Sequence, residues 1–396
     1  MRDVPSRMTV LNVELSRAYA AMLPDGNDLS SALVVCRMQG RVVGRFEAAI
    51  ENGRLSEEAV QRHLPEIARN AWTRTHEPKR CLGRGLRASI VVCTRDRARD
   101  LSRCLASLEP SLAGGHEVVV VDSCPSTDET SQVVSRYPRV RYVLEPRPGQ
   151  SIARNRGLLA ASHEIVAFTD DDAEVEPAWL DALLRNFDDP MTALVTGLTL
   201  PRELETRAQI WFERTNGFQR GFKRREFDLT AFDPLAAGTL GAGVNMALRK
   251  AVLVETGMFD EALGPGTETQ SGDDHEFFYR IVVHGFRAVY DPDAVVWHTH
   301  RRDWKALQTV LYGYGVGVLA WWTRALFVER ELGVFRVGLG YLRHLARNLI
   351  GALLRRPRSM PIDLAYAGLS GALAGPFAYL RAQRRLELER RESLPS

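Results

Sequence analysis

An apolar run, Val166-Ala167-Phe168, stops at Thr169 and three consecutive aspartates, Asp170, Asp171 and Asp172. At roughly 4 Å and an effective dielectric near 20, each like-charge pair costs about 4 kcal/mol. A fold keeps such a cluster where solvent, a cation or a bound group offsets the repulsion. Two other apolar runs end in polar groups, "ASIVVCT" at Thr94 and "EVVVVDS" at Asp122. Each of Thr94, Asp122 and Asp170 could simply cap the helix that follows. Three in succession point instead to one shared, ligand-facing edge. No GxGxxG or GxxxxGK[ST] loop follows the first of these runs, so a nucleotide here would need another way to neutralise its diphosphate. An acidic cluster holding Mg²⁺ or Mn²⁺ supplies it, because the ion bridges carboxylates to phosphate oxygens.

The elements that must position these groups alternate in type. "ASIVVCT", "EVVVVDS", "VRYVLEP" and "EIVAFTD" read as strands, and the stretches between them carry helical apolar spacing, as in Leu101, Leu105 and Leu108. Continuous apolar strands separated by amphipathic helices predict an α/β fold, a mostly parallel sheet covered on both faces. Ligands in such sheets bind beyond the carboxyl ends of the strands. Three segments are expected: a small α+β module over 1–80, the α/β domain over 88–302, and a helical, basic region over 303–396. The first holds a hairpin turning at Gln39-Gly40 and a helix opening near Ser56. The Gly-, Pro- and Arg-rich stretch 76–87 is the natural linker.

The 396 residues are 45% hydrophobic and 26% charged, values that argue against wholesale disorder. The net charge of +3 is unevenly spread: from Arg301 onward, 16 Arg and Lys face 7 Asp and Glu. That net of +9 leaves about −6 for the rest. The basic tail suits an anionic membrane surface better than nucleic acid, because its arginines alternate with long apolar runs. Two such runs, 306–323 and 364–380, are charge-free and glycine-rich; they read as buried or interfacial helices rather than spans. Five cysteines without a CxxC pair argue against disulfides or zinc, and with no apolar leader the expected location is cytoplasmic.

Taken in order, "ASIVVCTRDRARDLSRCLASL", "EVVVVDSCPSTDET", "GQSIARNRGLLAA", "VAFTDDDAEVEPAWL" and "GVNMALRKAVLVETGMFDEALGPGTETQSGDDHEFFYRIVVHGF" resemble the family 2 inverting glycosyltransferases. The resemblance covers about 88–302. It implies the GT-A fold, a Rossmann-like mixed sheet that binds nucleotide-diphospho-sugars, and an EC 2.4 hexosyltransferase-like activity. It puts Thr94 and Arg97 near the nucleotide and has Asp122 receive the base. Asp170 and Asp172 match the DxD signature that holds the metal, Mn²⁺ or Mg²⁺, with Asp171 facing sugar or ribose. Arg154 and Asn155 match positions that shape the donor pocket, and Asn245 a position facing donor or acceptor. Asp274, in "GDDHEFFYR", is the expected general base, with Asp273 binding the acceptor. His298, in "VVWHTHR", is the expected third metal ligand, with His300 as fallback. The turn "DSCPSTDET" departs from the family's usual "DNGSxDxT", which leaves the base open.

The expected partners are a nucleotide-diphosphate sugar and a glycan, lipid-linked or small-molecule hydroxyl acceptor, with peripheral attachment at the inner face of the cell membrane. Two rival readings are a nucleotidyltransferase and a catalytically silent nucleotide-sugar or glycan-binding protein. The first wants a glycine-rich loop that "CTRDRARD" lacks. Against the second stands the joint presence of Asp170, Asp172, Asp274 and His298.

Overall fold

The computed structural model describes residues 4–15, 30–76, 85–356 and 359–392. Most of the expected linker, and Cys81 within it, lies outside the described residues; the other four cysteines are unpaired. Strands β1 (Thr9–Glu14), β2 (Ser31–Met38), β3 (Arg41–Glu51) and β4 (Arg54–Leu55) form a four-stranded sheet in that order. β2 and β3 are joined at Gln39-Gly40, where both residues have positive φ (52° and 79°), the turn that matches the twist of a tight hairpin. β1 pairs parallel with β2, a pairing that its half-polar sequence does not announce. Helix α1 (Glu57–His76) buries Ile67, Ala71 and Arg74.

The second sheet has nine strands. Its first half is β5 (Ala88–Thr94), β6 (Glu117–Ser123), β7 (Val140–Glu145) and β8 (Ile165–Asp170), all parallel. Between them lie α2 (Ala98–Ser107), α3 (Glu109–Ala113), α4 (Glu129–Val134) and α5 (Gln150–Ala160). There follow β9 (Ala173–Val175), α6 (Trp179–Leu184), β10 (Thr192–Pro201), α7 (Arg207–Asn216), β11 (Arg225–Phe227) and β12 (Asn245–Arg249). α8 (Leu253–Thr256), α9 (Asp273–Val283) and β13 (Arg287–His298) complete the domain. The strand order is β11-β13-β10-β12-β8-β5-β6-β7, with β9 paired to β13. Alternate side chains point to opposite faces, so Val91, Cys93 and Val121 join one core while Ile90, Val92 and Val120 join another.

One strand reversal decides where chemistry can occur. β12 runs antiparallel between β8 and β10, so its first residue, Asn245, pairs with Thr169 near the carboxyl end of β8. β13 runs parallel to β10 and ends with His298 opposite Ala173 of β9. The ends of β5, β6, β8 and β13 and the start of β12 therefore share one edge.

Three helices follow: α10 (Trp304–Val328), α11 (Gly333–Leu353) and α12 (Ile362–Glu392). The charge-free runs lie on α10 and α12, whose backbones touch. A Cβ on Gly371 would sit 2.0 Å from the carbonyl oxygen of Tyr312, and one on Gly315 2.3 Å from that of Gly368. Glycine is required for that approach, so these faces bury in the protein. Among the described residues no helix is long and apolar enough to cross a membrane.

Ion pairs dock the N-terminal sheet on the larger domain. Arg37 meets Glu176, Arg45 meets Glu213, and Arg41 meets Asp293 at 2.8 Å. Asp293 also accepts from Arg74, whose side chain is 1% exposed, and from Arg185 at 2.5 Å. Removing one partner of a buried pair leaves an uncompensated charge, at roughly 3–5 kcal/mol. Asp293→Ala should therefore lower the free energy of unfolding by that order, and the denaturant midpoint with it; an unchanged midpoint would show that the docking lies elsewhere.

Candidate active site

The shared edge opens into a cleft of about 570 Å³. The aspartate run forms one wall, and four basic groups meet it. Thr94 Oγ1 donates to Asp171 Oδ2 at 2.8 Å, and Arg97 Nη1 donates to Asp171 Oδ1 (3.0 Å) and Asp172 Oδ2 (3.1 Å). His298 Nε2 lies 3.2 Å from Asp172 Oδ1, and Arg301 Nη1 lies 3.5 Å from Asp172 Oδ2. Arg154 Nη2 stands 3.8 Å from Asp170 Oδ1. The capping alternative does not hold: α2 begins after Arg97 and α4 after Asp128, neither with a side-chain cap, and Asp170 is followed by β9.

These surroundings split the carboxylates. Burial pushes Asp171 up to about 7 and also raises Asp170, in both cases against the pull of a nearby arginine. Burial acts on Asp172 too, but His298, Arg97 and Arg301 outweigh it and hold Asp172 well below the usual carboxylate range. His298 is raised: burial opposes its charge, and Asp172 prevails.

The opposite wall comes from the start of α9. Gly272, at φ 94°, turns the chain into the helix where a Cβ would strike the Gly317 carbonyl oxygen at 2.6 Å. Asp274 then faces the cleft, its Oδ2 accepting from Gly243 N and its Oδ1 from His275 N, both at 2.8 Å. Burial would raise its pKa, but His275, Arg154 and these N–H groups hold it below the usual carboxylate range. Phe212 and Phe218 line the same cleft and pack against His300 and His298.

Two expected placements need correction, at Asn155 and Asn245. Asp273 lines the cleft with its carboxylate engaged by Arg154, which ties α9 to α5, while burial pushes it up to about 6. Asp171 also lines the cleft, with Thr94 and Arg97 on its two oxygens. Asn155 turns inward, exchanging hydrogen bonds of 2.9 Å with the backbone of Phe259. Asn245 is fully buried, accepting from Trp179 Nε1 and donating to the carbonyls of Leu198 and Ala294. Asp122 is also fully buried and does not line the cleft; Tyr142 donates to Oδ2 at 2.9 Å, and Thr130 of α4 is a second hydrogen-bonding neighbour. Beside it, the altered turn puts Cys124 at a left-handed φ of 48°, as Asp96 is at 54° after β5.

Asp172 and His298 fit a hard divalent cation, offering carboxylate oxygen and imidazole nitrogen side by side. Asp170 is turned toward Arg154, and among the described residues no three His, Cys, Asp or Glu side chains form a finished cage. Two protein ligands still suffice for Mg²⁺, which keeps waters and takes its remaining ligands from substrate phosphates. Sequence reasoning missed Arg301, Tyr314 and Glu213 in and around the site. Arg301 adjoins the "HTH" run and was legible by position, whereas Tyr314 on α10 and Glu213 on α7 carried no local signal.

Residues 89–254 match the family model described as "Glycosyl transferase family 2". The chain is 30% identical over 243 residues to a pre-mycofactocin glycosyltransferase of Mycobacterium tuberculosis, covering 59% of this chain and 47% of that protein. It is 25% identical over 254 residues to a glucosyl-dolichyl phosphate glucuronosyltransferase of Haloferax volcanii, covering 59% and 77%. A solved mannosyltransferase of Pyrobaculum calidifontis, in complex with GDP-Man and Mn²⁺, superposes with a TM-score of 0.46 at 19% identity, covering 85% and 86%. The chain spans about half the length of the mycobacterial relative. The match places a family 2 glycosyltransferase domain at 89–254, less than half of the chain, within a mixed and mostly parallel sheet.

The correction at Asn245 is testable. Asn245→Ala would strip hydrogen bonds from the buried Trp179 N–H and two carbonyls, at about 1–3 kcal/mol for each group left unsatisfied. Thermal unfolding should fall accordingly, while nucleotide affinity below the transition stays within twofold. A selective loss of nucleotide binding would return Asn245 to the cleft.

Proposed function

We propose that this chain is a metal-dependent inverting glycosyltransferase, moving a sugar from a nucleotide-diphosphate donor to an acceptor hydroxyl. The observation that carries this reading is a single cleft lined both by the Asp172–His298 pair and by Asp274. Thr94 and Arg97 edge the nucleotide side, and Asp122, buried beside the cleft-lining Ser123, would meet the base only once its Tyr142-held carboxylate turns outward. Arg154 shapes the pocket floor. Asp170, Asp172 and His298 would hold Mn²⁺ or Mg²⁺, and the ion would supply positive charge against the diphosphate. The acceptor oxygen bonds to the anomeric carbon as the bond from that carbon to the diphosphate oxygen breaks on the opposite side. Configuration inverts, and Asp274 takes the hydroxyl proton. Its two backbone N–H bonds fix the carboxylate, and its lowered pKa keeps it ionised at neutral pH.

Thermal unfolding with UDP, GDP, TDP or CMP, each with and without Mn²⁺, tests the donor half. A ligand at 100 times its Kd stabilises by about 2.7 kcal/mol. One nucleotide should do so only with Mn²⁺, and Asp172→Asn should abolish the effect. Asp274→Asn should keep that stabilisation yet slow transfer by roughly 10²–10⁴-fold. Metal-independent stabilisation, or an active Asp274→Asn, would overturn the assignment.

A membrane-bound acceptor is favoured by α11. Of its 21 residues only Val334 and Gly351 are buried, and it carries no acidic residue. At 100° per residue, Phe335, Leu339, Ile350 and Leu353 share one stripe, all at least 50% exposed, with Arg336, Arg343 and Arg347 along one flank. An apolar stripe edged by arginine is the form of a helix lying in the plane of an anionic leaflet. We propose peripheral attachment there, on the cytoplasmic face, with a lipid-linked acceptor hydroxyl presented to the cleft. Each arginine near an anionic surface is worth about 1 kcal/mol, so replacing the three flank arginines by Gln should cut binding to phosphatidylglycerol vesicles roughly 100-fold. Equal sedimentation with neutral and anionic vesicles would exclude this.

A further inference from the structure

Behind the proposed metal ligand runs a buried polar file that the transfer reaction does not use. His298 Nδ1 lies 3.0 Å from His300 Nδ1, and His300 Nε2 lies 2.7 Å from Glu213 Oε2. The other oxygen of Glu213 accepts from Nη1 of Arg45, a residue of β3 in the N-terminal sheet. His300 is 3% exposed and Glu213 7%, and the ring of Phe212 packs over His300 at 4.5 Å. Gln209 Nε2 holds the backbone carbonyl of His300 at 3.1 Å. The file thus crosses from the cleft, through α7, to a separate sheet.

Its hydrogen bonds have only one consistent direction when a cation occupies His298. Two Nδ1 atoms at 3.0 Å must share a single proton, since two donors would face each other and two acceptors would leave no bond. With the lone pair of His298 Nε2 given to a cation, Nδ1 of His298 carries the proton and donates to His300. His300 then carries its own proton on Nε2 and donates to Glu213, a carboxylate that can only accept. Arg45 completes the file by keeping Glu213 charged and fixed in place.

Resting on the metal reading above, we infer that Glu213 and His300 are positioning residues that set the tautomer and ring orientation of His298. Arg45 makes the N-terminal sheet a determinant of cation affinity at the donor site. Outer hydrogen-bond partners of ligating imidazoles typically contribute 10- to 100-fold in metal affinity.

The experiment uses the full chain and Mn²⁺ alone, with bound ion read from the loss of the free Mn²⁺ electron paramagnetic resonance signal. Wild type should bind, with spin-echo modulation from one ligating ¹⁴N, and Asp172→Asn should not; failure of either overturns the metal reading and the inference with it. Given that result, Glu213→Gln and Arg45→Met should each weaken Mn²⁺ binding about 10-fold or more and alter the ¹⁴N modulation. Arg45→Lys should restore most of both. Arg45→Met acts from a different sheet, so it tests the file even where Glu213→Gln fails to fold. Wild-type Mn²⁺ affinity and ¹⁴N modulation in folded Arg45→Met would overturn the inference while leaving the metal reading intact.

Discussion

Three carboxyl groups in consecutive residues at the end of β8 must be neutralised, and that constraint organises the domain around them. The chain answers with Arg97 at the start of α2, Arg154 on α5, His298 at the end of β13 and Arg301 just beyond it. They come from three separate stretches of the sequence, so the sheet order is what lets them meet. Reversing β12 brings Gly243 and Asp274 to the same edge, so the Asp274 carboxylate sits across from the acidic wall. The compensation is unequal. Asp172 gathers three positive or polar neighbours and stays ionised, while Asp170 and Asp171, with weaker support, are raised by burial.

Much of this was legible in the sequence because burial on both faces leaves a plain mark. The runs "ASIVVCT" and "EVVVVDS" are strands to the residue, since parallel strands between helical layers need apolar side chains at nearly every position. Asp170 and Asp172 stood out because acidic groups closing an apolar run need a reason to be there, whereas Asp274 and His298 were singled out by the resemblance. Partner identity was not legible. Asn155 and Asn245 have the residue type of a ligand contact, but which backbone groups an amide satisfies depends on strands and loops far away in sequence. Asp273 and Asp274 are adjacent and alike, and only the helix start tells them apart: one turns to Arg154, the other to the Gly243 N–H.

The charge-free glycine runs show the same limit from another side. Helices that touch backbone to backbone and helices that enter lipid draw on the same small and apolar residues. The sequence of α10 and α12 therefore could not say which solvent they face. The structure shows backbone contact for α10 and α12. α10 and the inner face of α12 pack together, whereas α11 keeps its apolar stripe outside. The N-terminal sheet is different again. It holds no candidate acid or base, yet among the described residues Arg37, Arg41, Arg45 and Glu47 of its strands, and Arg74 of α1, form ion pairs with the larger domain.

The glycine contacts between α10 and α12 have a consequence for how such a protein can be rebuilt. Gly313 and Tyr314 of α10 form part of the cleft wall, while the neighbouring Gly315 and Tyr312 lie against the backbone of α12. With no side-chain layer between the two helices, no cushion exists to absorb a foreign sequence. Grafting a new acceptor pocket by exchanging α10 alone would collide with Gly368 and Gly371, so the two helices are a single transplantable part. Chimeras that cut between them should misassemble, and those that carry both should bring their own cleft wall with them.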